Sequence, residues 1–255
     1  PSHALPIFRS TPRRIKSGIA VRSHHFLVVP VLARGAVPVL GGYVGSTLDG
    51  RTTTLGKEGS DFSVAIFGAL LGAEEIQIWT DVDGVLSADP RRVPGATVID
   101  LLSYNEAMEL AYFGAKVIHP QTMGPAIADA IPIRILNTFA PEGSGTLICA
   151  NPQSTLPVKG ITSIESVAMI DLEGAGMIGV PGTAHRLFGA LRQADVSVIL
   201  ISQGSSEHSI CCAIPEAQAE RAAAVVRDAF ERELRTGQIQ DVTIDRDLAF
   251  LAIVG

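Results

Sequence analysis

Aromatic residues are scarce in this chain, and no apolar run is long enough to cross a membrane. Only 5% of the 255 residues are aromatic, and runs such as residues 65–73 fall well short of the length that a bilayer requires. An excess of basic residues is missing too, because the formal net charge is −6. Charge therefore gives no indication of a nucleic-acid partner, and we expect no membrane partner either.

Cysteine is also rare, and its placement differs from that of a disulfide framework. Cys149 stands alone, whereas Cys211 and Cys212 are adjacent in a predicted strand. Neighbouring residues of a strand point to opposite faces, so these two thiols are not expected to pair with each other. The odd count indicates reduced thiols and a cytoplasmic protein. No group of histidine, cysteine and aspartate residues has the spacing of a zinc site, and we assign no metal ligands.

Residues 1–30 contain no acidic residue, although they hold five lysine and arginine residues. They show no clear hydrophobic period, so we leave this segment unassigned. A basic, serine-containing start could be a transit peptide, which would place the protein in a plastid. It could equally be a stretch of wrong reading frame or a cloning remnant, and the lack of a visible amphipathic helix favours these two explanations.

Alanine, glycine, valine and isoleucine are abundant instead, and predicted strands alternate with predicted helices between residues 31 and 150. This alternation favours an α/β fold, with a mostly parallel sheet and helices on both of its faces. Strands are predicted at residues 36–40, 76–80 and 133–136, and helices at residues 62–71, 103–114 and 121–130.

The composition shifts to proline, serine and threonine near residues 151–159, which indicates a linker. Residues 167–234 then have the pattern of a strand, a helix, two strands and a long helix, which is the start of a ferredoxin-like unit. We place this unit at residues 151–238. The apolar strand at residues 248–255 resembles its first strand, so residues 239–255 are predicted to begin a second unit that is truncated here.

A glycine-containing loop precedes the first helix of the α/β part. In TTTLGKEGSDFS, residues 52–63, two glycines flank a lysine and a glutamate. Glycine lets the backbone approach a ligand closely, and a helix that starts near Ser60 would direct its free N–H groups at the loop. Ser60 suits the cap of this helix, and Asp61 suits its first turn. Taken alone, the stretch fits an ordinary capped helix and a phosphate-binding loop equally well.

Polar residues also follow the strand at residues 76–80. Asp81, Asp83 and Gly84 lie just past its carboxyl end, and in open α/β sheets ligands bind in the crevice at that end. We therefore expect a binding site beside these residues.

A capping box is predicted farther along the chain, with Ser103 at the cap and Glu106 at the third helical position. The helix that it starts is expected to end at Gly114. Lys116 follows in a tight, glycine-containing loop, where its charge is available to an anionic ligand.

Taken in order, several motifs resemble those of aspartokinase, the amino-acid kinase that phosphorylates aspartate. In the first part of the chain they are RTTTLGKEGSDFS (51–63), WTDVDGV (79–85), ADPR (88–91), SYNEAMELAYFGAKVIHP (103–120) and GTLI (145–148). Beyond the linker, the first ACT regulatory unit of the same family is matched by PVKGIT (157–162), GMIGVPGTAHRLFGAL (176–191) and ISQGSSEHSI (201–210). The last motif is most like the threonine-sensitive type, which is often fused to homoserine dehydrogenase.

The resemblance implies a fold and an activity. Residues 31–150 would form the carboxyl-side part of an amino-acid-kinase three-layer αβα sandwich, and the ferredoxin-like unit would be an ACT unit. The implied reaction transfers the γ-phosphoryl group of ATP, with Mg²⁺, to the side-chain carboxylate of L-aspartate. The product, 4-phospho-L-aspartate, opens the biosynthesis of lysine, threonine and methionine.

The resemblance also assigns residues to roles. Lys116 would stabilise charge on the phosphates and Asp61 would orient lysines, while Lys57 and Ser60 would contact the aspartate substrate. The nucleotide would be bound by Thr80, Asp81, Arg91, Lys116 and Val117. An amino-acid effector, threonine or lysine, would be bound by Met177, Gly182 and Gln203. ACT units would also join copies of the chain into a homo-oligomer.

The chain departs from the family pattern in ways that bear on activity. The Lys-Phe-Gly-Gly-Thr-Ser phosphate loop and the aspartate-binding glutamate segment of the family are not found in it, so we expect an incomplete chain. Lys57 stands where the family has arginine, which can hold a carboxylate with two parallel hydrogen bonds. We therefore expect little or no catalysis by this chain, because positioning groups are missing.

Two other hypotheses remain. The chain could be a non-catalytic regulatory subunit that binds threonine or lysine and pairs with a full-length kinase. It could also act on the acceptor of another amino-acid kinase, although the ACT part argues against this.

Overall fold

The structure, a computed structural model, describes residues 3–4, 22–47, 51–56, 58–114, 117–118, 120–154, 156–204 and 208–255. Its contacts divide the chain into two units. Unit 1 comprises residues 1–162 and 252–255, and unit 2 comprises residues 163–251. In the described part of the chain, we find no helix with the length and apolar character needed to cross a membrane.

Unit 1 contains a five-stranded sheet in the order β1-β4-β6-β7-β5 and a separate two-stranded hairpin, β2-β3. Its strands are β1 His3–Ala4, β2 Val44–Ser46, β3 Thr52–Thr54, β4 Ile76–Thr80, β5 Leu101–Ser103, β6 Ile133–Asn137 and β7 Thr146–Cys149. Its helices are α1 Arg22–Ala33, α2 Gly59–Leu71, α3 Tyr104–Tyr112 and α4 Pro120–Ala128. This α/β arrangement confirms the predicted fold class.

The five-stranded sheet is mixed rather than mostly parallel. β4 pairs with β6 and β5 pairs with β7 in parallel, but β6 and β7 are antiparallel. Residues 138–145 connect β6 to β7, and so short a connection suits an antiparallel pair, whereas a parallel pair needs a crossover of a dozen or more residues.

One predicted strand does not form. Residues 36–40 are not in a strand, and Val37 and Val39 are largely exposed. Pro38 between them cannot donate a ladder hydrogen bond. An apolar run of valines satisfies the pattern of a buried strand, but the pattern does not reveal whether a partner strand lies beside it.

The beginning of α2 also differs from the prediction. The helix starts at Gly59, with Glu58 as its N-cap in a left-handed conformation (φ 58°) and without a side-chain cap. Ser60 therefore lies inside the first turn and is not the cap. The other end agrees with the sequence, because Gly72 ends α2 in a left-handed conformation.

The predicted capping box of α3 is confirmed. The Ser103 hydroxyl accepts a hydrogen bond from the Glu106 backbone N–H at 3.1 Å, and the Glu106 carboxylate accepts one from the Ser103 N–H at 2.6 Å. Two N–H groups that the helix itself leaves without partners are satisfied in this way.

Unit 2 is built on a four-stranded sheet in the order β11-β8-β10-β9. Its elements are β8 Gly160–Glu173, α5 Thr183–Gln193, β9 Leu200–Gln203, β10 Ser209–Pro215, α6 Ala219–Ala229, α7 Glu231–Arg235 and β11 Asp241–Val254. β10 pairs antiparallel with both β8 and β9. The strand order, with helices after β8 and β10, is that of a ferredoxin-like unit.

The last strand lies in a different place from the predicted one. Residues 239–255 are predicted to begin a second ferredoxin-like unit. In the structure, β11 lies beside β8 in the sheet of unit 2. Val242 is fully buried in the core of unit 2. The predicted boundary at residue 238 is therefore one strand too early, since similarity between two strands does not reveal which strand each will pair with. The boundaries at residues 30 and 150 stay predictions.

The core of unit 1 offers a direct test of this packing. Ile135 of β6 is fully buried in unit 1, and Ile135→Ala should lower the free energy of unfolding by about 2–5 kcal/mol because it leaves a cavity. Urea unfolding followed by the fluorescence of Trp79, the only tryptophan, reports on the adjacent strand β4. Val39→Ala, at an 87% exposed position, should change the free energy of unfolding by less than about 0.5 kcal/mol. Equal effects of the two substitutions would contradict the described core.

Candidate functional site

A cavity of about 300 Å³ lies in unit 1, and we call it the unit 1 pocket. Its walls come from residues 82–91, which follow β4, from the end of α3 and from the first residues of β8. Much of the lining is apolar, including Val82, Leu86, Leu110 and Ile161. Such a mostly apolar cleft with a few polar groups is typical of small-molecule sites.

The loop that forms one wall is fixed to the sheet by a close approach. Gly84 has φ 147°, and a Cβ atom there would lie 2.6 Å from the Thr146 hydroxyl oxygen. That fully buried hydroxyl accepts a hydrogen bond of 2.8 Å from the Val85 N–H. The Val85 carbonyl in turn accepts from the Ile99 N–H at 2.8 Å. A glycine is required here because any side chain would push the loop away from β7.

Two of the predicted nucleotide residues, Arg91 and Val117, line the unit 1 pocket. The Arg91 guanidinium donates to both carboxylate oxygens of Asp89, at 3.0 and 2.7 Å, and the Arg91 N–H donates to the same group at 2.9 Å. These hydrogen bonds lower the pKa of Asp89 to about 2. The carboxylate is thus ionised at neutral pH and orients an arginine side chain that is 88% exposed.

Two further predicted nucleotide residues, Thr80 and Asp81, are not among the described residues that line this pocket. Thr80 ends β4, and its hydroxyl donates to the exposed Asp81 carboxylate at 3.2 Å. Lys116 lies outside the described residues. The contribution of these three residues to a nucleotide site stays a prediction.

Some residues of this region were missed by sequence reasoning. The Asn137 amide donates to the Asp83 carboxylate at 2.6 Å, at the point where the parallel strands β4 and β6 both end. Asp83 is one of the predicted residues, whereas Asn137 was missed. The available signal is a polar residue at the carboxyl end of β6. Leu110, Ile161 and Thr162 also line the pocket, but they lie far from residues 82–91 in the chain and carry no local signal.

Ser60 and Asp61, which are predicted to lie on the aspartate side of the site, are both in the first turn of α2. Asp61 is 5% exposed, and its position in the first turn places a carboxylate near the positive end of the helix dipole. The Ser60 hydroxyl donates to Asp61 at 3.4 Å instead of capping the helix. Lys57 lies outside the described residues. α2, whose first turn holds Asp61, packs against α4. In the sequence, Lys116 lies four residues before the first residue of α4.

Unit 2 contains a second cavity, of about 180 Å³, which we call the unit 2 pocket. The three predicted effector residues, Met177, Gly182 and Gln203, all line it. The start of α5 contributes Thr183 and Ala184. Gly182 is the N-cap of α5, with φ 90° and no side-chain cap, so helix N–H groups are directed toward this end of the pocket.

The turn that carries Met177 depends on two glycines. Cβ atoms at Gly174 and Gly176 would each lie 2.5 Å from atoms of Gln238. The Gly176 N–H donates to the Gln238 carbonyl at 2.8 Å, so the turn is held against the segment before β11. Of the eight described residues that line the unit 2 pocket, none has a charged side chain.

A buried ion pair lies beside α3 in unit 1. The Lys159 ammonium is 2.8 Å from each Glu106 carboxylate oxygen, and the side chains are 4% and 16% exposed. Burial by itself raises the pKa of Glu106, but the hydrogen bonds from Lys159 and Ser103 outweigh it and lower that pKa. The capping carboxylate of α3 is therefore ionised and also binds the chain that leads into β8.

Comparisons with known proteins agree with this division. Residues 13–137 match the amino acid kinase family and residues 170–230 match an ACT domain. The chain is 46% identical over 220 residues to a chloroplastic bifunctional aspartokinase/homoserine dehydrogenase of Arabidopsis thaliana, covering 84% of this chain and 24% of the relative. It is also 45% identical over 225 residues to the bifunctional aspartokinase/homoserine dehydrogenase of Haemophilus influenzae, covering 88% of this chain and 28% of the relative. The chain thus spans about a quarter of the length of these relatives.

Solved structures with a similar fold are aspartate kinases. The crystal structure of E. coli aspartokinase III in complex with aspartate and ADP is 29% identical, with a TM-score of 0.68 over 91% of this chain and 51% of that one. The aspartate kinase of Clostridium acetobutylicum is also 29% identical, with a TM-score of 0.72 over 84% and 49%.

The ion pair at α3 predicts a pH dependence of stability. The pKa of Glu106 is lowered in the folded state, so its stabilisation is complete above its usual value of about 4.5 and is lost as the pH falls through the lower folded value. Glu106→Gln should reduce the thermal midpoint at pH 7, and the difference from the unchanged chain should shrink below about pH 4.5. Calorimetric scans between pH 3 and 8 measure this, with Glu231→Gln on α7 as the control. A difference that stays constant down to pH 3 would contradict the assignment.

Proposed function

We propose that this chain, which belongs to the aspartokinase family, is part of an ATP-dependent aspartate kinase that is regulated by an amino acid. The reaction would phosphorylate the side-chain carboxylate of L-aspartate to 4-phospho-L-aspartate. The observation that carries the proposal is the unit 1 pocket, because its lining includes Arg91 and Val117 beside the carboxyl end of β4. The similarity to aspartokinase III of E. coli, whose structure contains aspartate and ADP, supports this choice.

The chemistry requires little proton transfer. The acceptor carboxylate is already an anion, so the main difficulty is to bring two anions together and to spread the charge on the transferring group. We assign this task to Lys116, with Asp61 orienting lysine side chains. Ser60 and Lys57 would hold the acceptor at the start of α2, where the helix N-terminus favours an anion. Thr80, Asp81 and Arg91 would position the nucleotide together with Lys116 and Val117.

A magnesium ion would enter this site with the nucleotide. Among the described residues, no group of three or more histidine, cysteine, aspartate and glutamate side chains could hold a metal by itself. Mg²⁺ usually binds one or two carboxylates together with substrate phosphates and water, so the exposed Asp81 and Asp83 fit such a shared site. When bound, the ion would neutralise charge on the phosphates.

The unit 2 pocket supports the regulatory part of the proposal. Helix N–H groups at the start of α5 suit the carboxylate of a free amino acid, and the Gln203 amide can hydrogen-bond a small polar ligand. Lysine would bring an ammonium group that none of the eight described lining residues can neutralise. We therefore propose threonine as the effector.

The same pocket favours a second candidate function, a non-catalytic regulatory subunit. In either case we expect a homo-oligomer formed through ACT units. The edge strand β9 supports this, because it has exposed Leu200 and Ile201 and one unpaired edge in the described sheet.

Nucleotide binding tests the kinase proposal. Calorimetry should detect binding of ADP with Mg²⁺, and Arg91→Ala should weaken it about tenfold, because charge-assisted hydrogen bonds to phosphate are lost. Arg92→Ala, the same substitution at the next position, which is also exposed, should leave the affinity unchanged. No ADP binding by the unchanged chain would contradict the proposed pocket.

A coupled assay for ADP release, with ATP, Mg²⁺ and aspartate, then separates the two candidates. The kinase proposal expects weak aspartate-dependent turnover at most, because Lys57 replaces the family's arginine. Turnover at rates typical of kinases would overturn the expectation of an impaired chain. Any aspartate-dependent turnover, even a weak one, would exclude the non-catalytic regulatory subunit.

Calorimetry with free amino acids tests the effector. Threonine should bind and lysine should not, and Gln203→Ala should weaken the binding of threonine. Gln193→Ala, at the exposed end of α5, is the matched control. Binding of lysine would overturn the choice of threonine. If neither amino acid binds, the proposed effector site is wrong.

A further inference from the structure

Residues 159–162 run along α3 and contact it at both ends; we call them the 159–162 segment. They lie outside both family matches, which cover residues 13–137 and 170–230. At the start of α3, the buried Lys159 ammonium binds the Glu106 carboxylate. At its end, the Thr162 hydroxyl donates a hydrogen bond of 2.8 Å to the Phe113 carbonyl.

The middle of the segment is packed just as closely. A Cβ atom at Gly160 would lie 2.9 Å from a methyl group of Leu110 on α3. The next residue, Ile161, donates its backbone N–H to the Ser87 carbonyl at 2.8 Å. Because Ser87 belongs to the loop of residues 82–91, the segment joins that loop to α3. Ile161 and Thr162 themselves line the unit 1 pocket, so this junction is one of its walls.

The Thr162 contact acts at the point where the chain leaves α3. Phe113 is the C-cap of the helix, and its carbonyl belongs to the last turn, where the helix supplies no partner. Gly114 follows with φ 130°, and both Gly114 and Val117 line the pocket. A hydrogen bond to the Phe113 carbonyl fixes the peptide plane between Phe113 and Gly114, and hence the direction in which the chain leaves α3 at Gly114.

We propose that Thr162 is a positioning residue for the unit 1 pocket: its hydroxyl holds the Phe113 carbonyl and thereby places Gly114 and Val117 where they bind the nucleotide. Lys159 supports this role by holding the segment at the other end of α3. The assignment of a nucleotide to the pocket rests on the proposed function, whereas the positioning of residues 113–117 does not.

The hydroxyl is tested by three substitutions at one position. Thr162→Val keeps the size of the side chain and removes the donor, Thr162→Ser keeps the donor, and Thr162→Cys has a weaker one. Thr162→Val should bind ADP about tenfold more weakly, the Ser variant should bind it nearly as the unchanged chain does, and the Cys variant should lie between them. Thr243→Val, at an exposed position of β11, is the matched control and should leave ADP binding unchanged.

Hydrogen exchange supplies a readout that needs no nucleotide. In Thr162→Val, the amides of Phe113 and Gly114 at the end of α3 should exchange about tenfold faster, while those of β4 and β6 should keep their rates. Thr162→Ser should restore slow exchange. If Trp79 fluorescence shows that the Val variant does not fold, the Cys and Ser variants decide the comparison.

Each outcome bears on the proposal. Unchanged exchange of the Phe113 and Gly114 amides, or a Ser variant as defective as the Val variant, would overturn it. If the unchanged chain binds no ADP, the proposed nucleotide pocket fails, and the exchange rates alone decide whether Thr162 positions this segment. If exchange becomes faster in Thr162→Val but the affinity for ADP does not change, the claim that Thr162 contributes to nucleotide binding would be overturned.

Discussion

The backbone hydrogen bonds that pair β4 with β6 hold the two strands in parallel from Ile76 and Ile133 to Thr80 and Asn137. Both strands therefore end at the same edge of the sheet, and the loop of residues 82–91 leaves from that edge. The Asn137 amide binds Asp83 there. The loop that lines the unit 1 pocket thus starts at the edge where two parallel strands end, and such edges are where open α/β sheets bind ligands.

Both pockets also depend on backbone that lies unusually close to another segment. In unit 1, Gly84 approaches the Thr146 hydroxyl, which satisfies the Val85 N–H inside the core. In unit 2, Gly174 and Gly176 approach Gln238. A side chain at any of these three glycines would occupy space that is already filled, so the loops that shape the pockets are held by tertiary contacts in addition to their own turns.

Helix N-termini give the two proposed ligand sites a common electrostatic basis. α2 begins after a left-handed turn at Glu58, and α5 begins after a left-handed turn at Gly182. In both cases the cap makes no side-chain hydrogen bond, and the positive end of the helix dipole favours an anion there. The proposed acceptor and the proposed effector both carry a carboxylate, which such a site favours.

The sequence by itself determined the features whose signal is local: the capping box of Ser103 and Glu106, the end of α2 at Gly72, and the alternation of strands and helices. Tertiary structure alone decided that residues 36–40 find no partner strand, that β11 lies beside β8, and that Thr162 meets Phe113. The physical reason is distance along the chain. Caps and turns are formed by residues a few positions apart, whereas strand partners and pocket walls meet only after folding, according to which surfaces are available to pack.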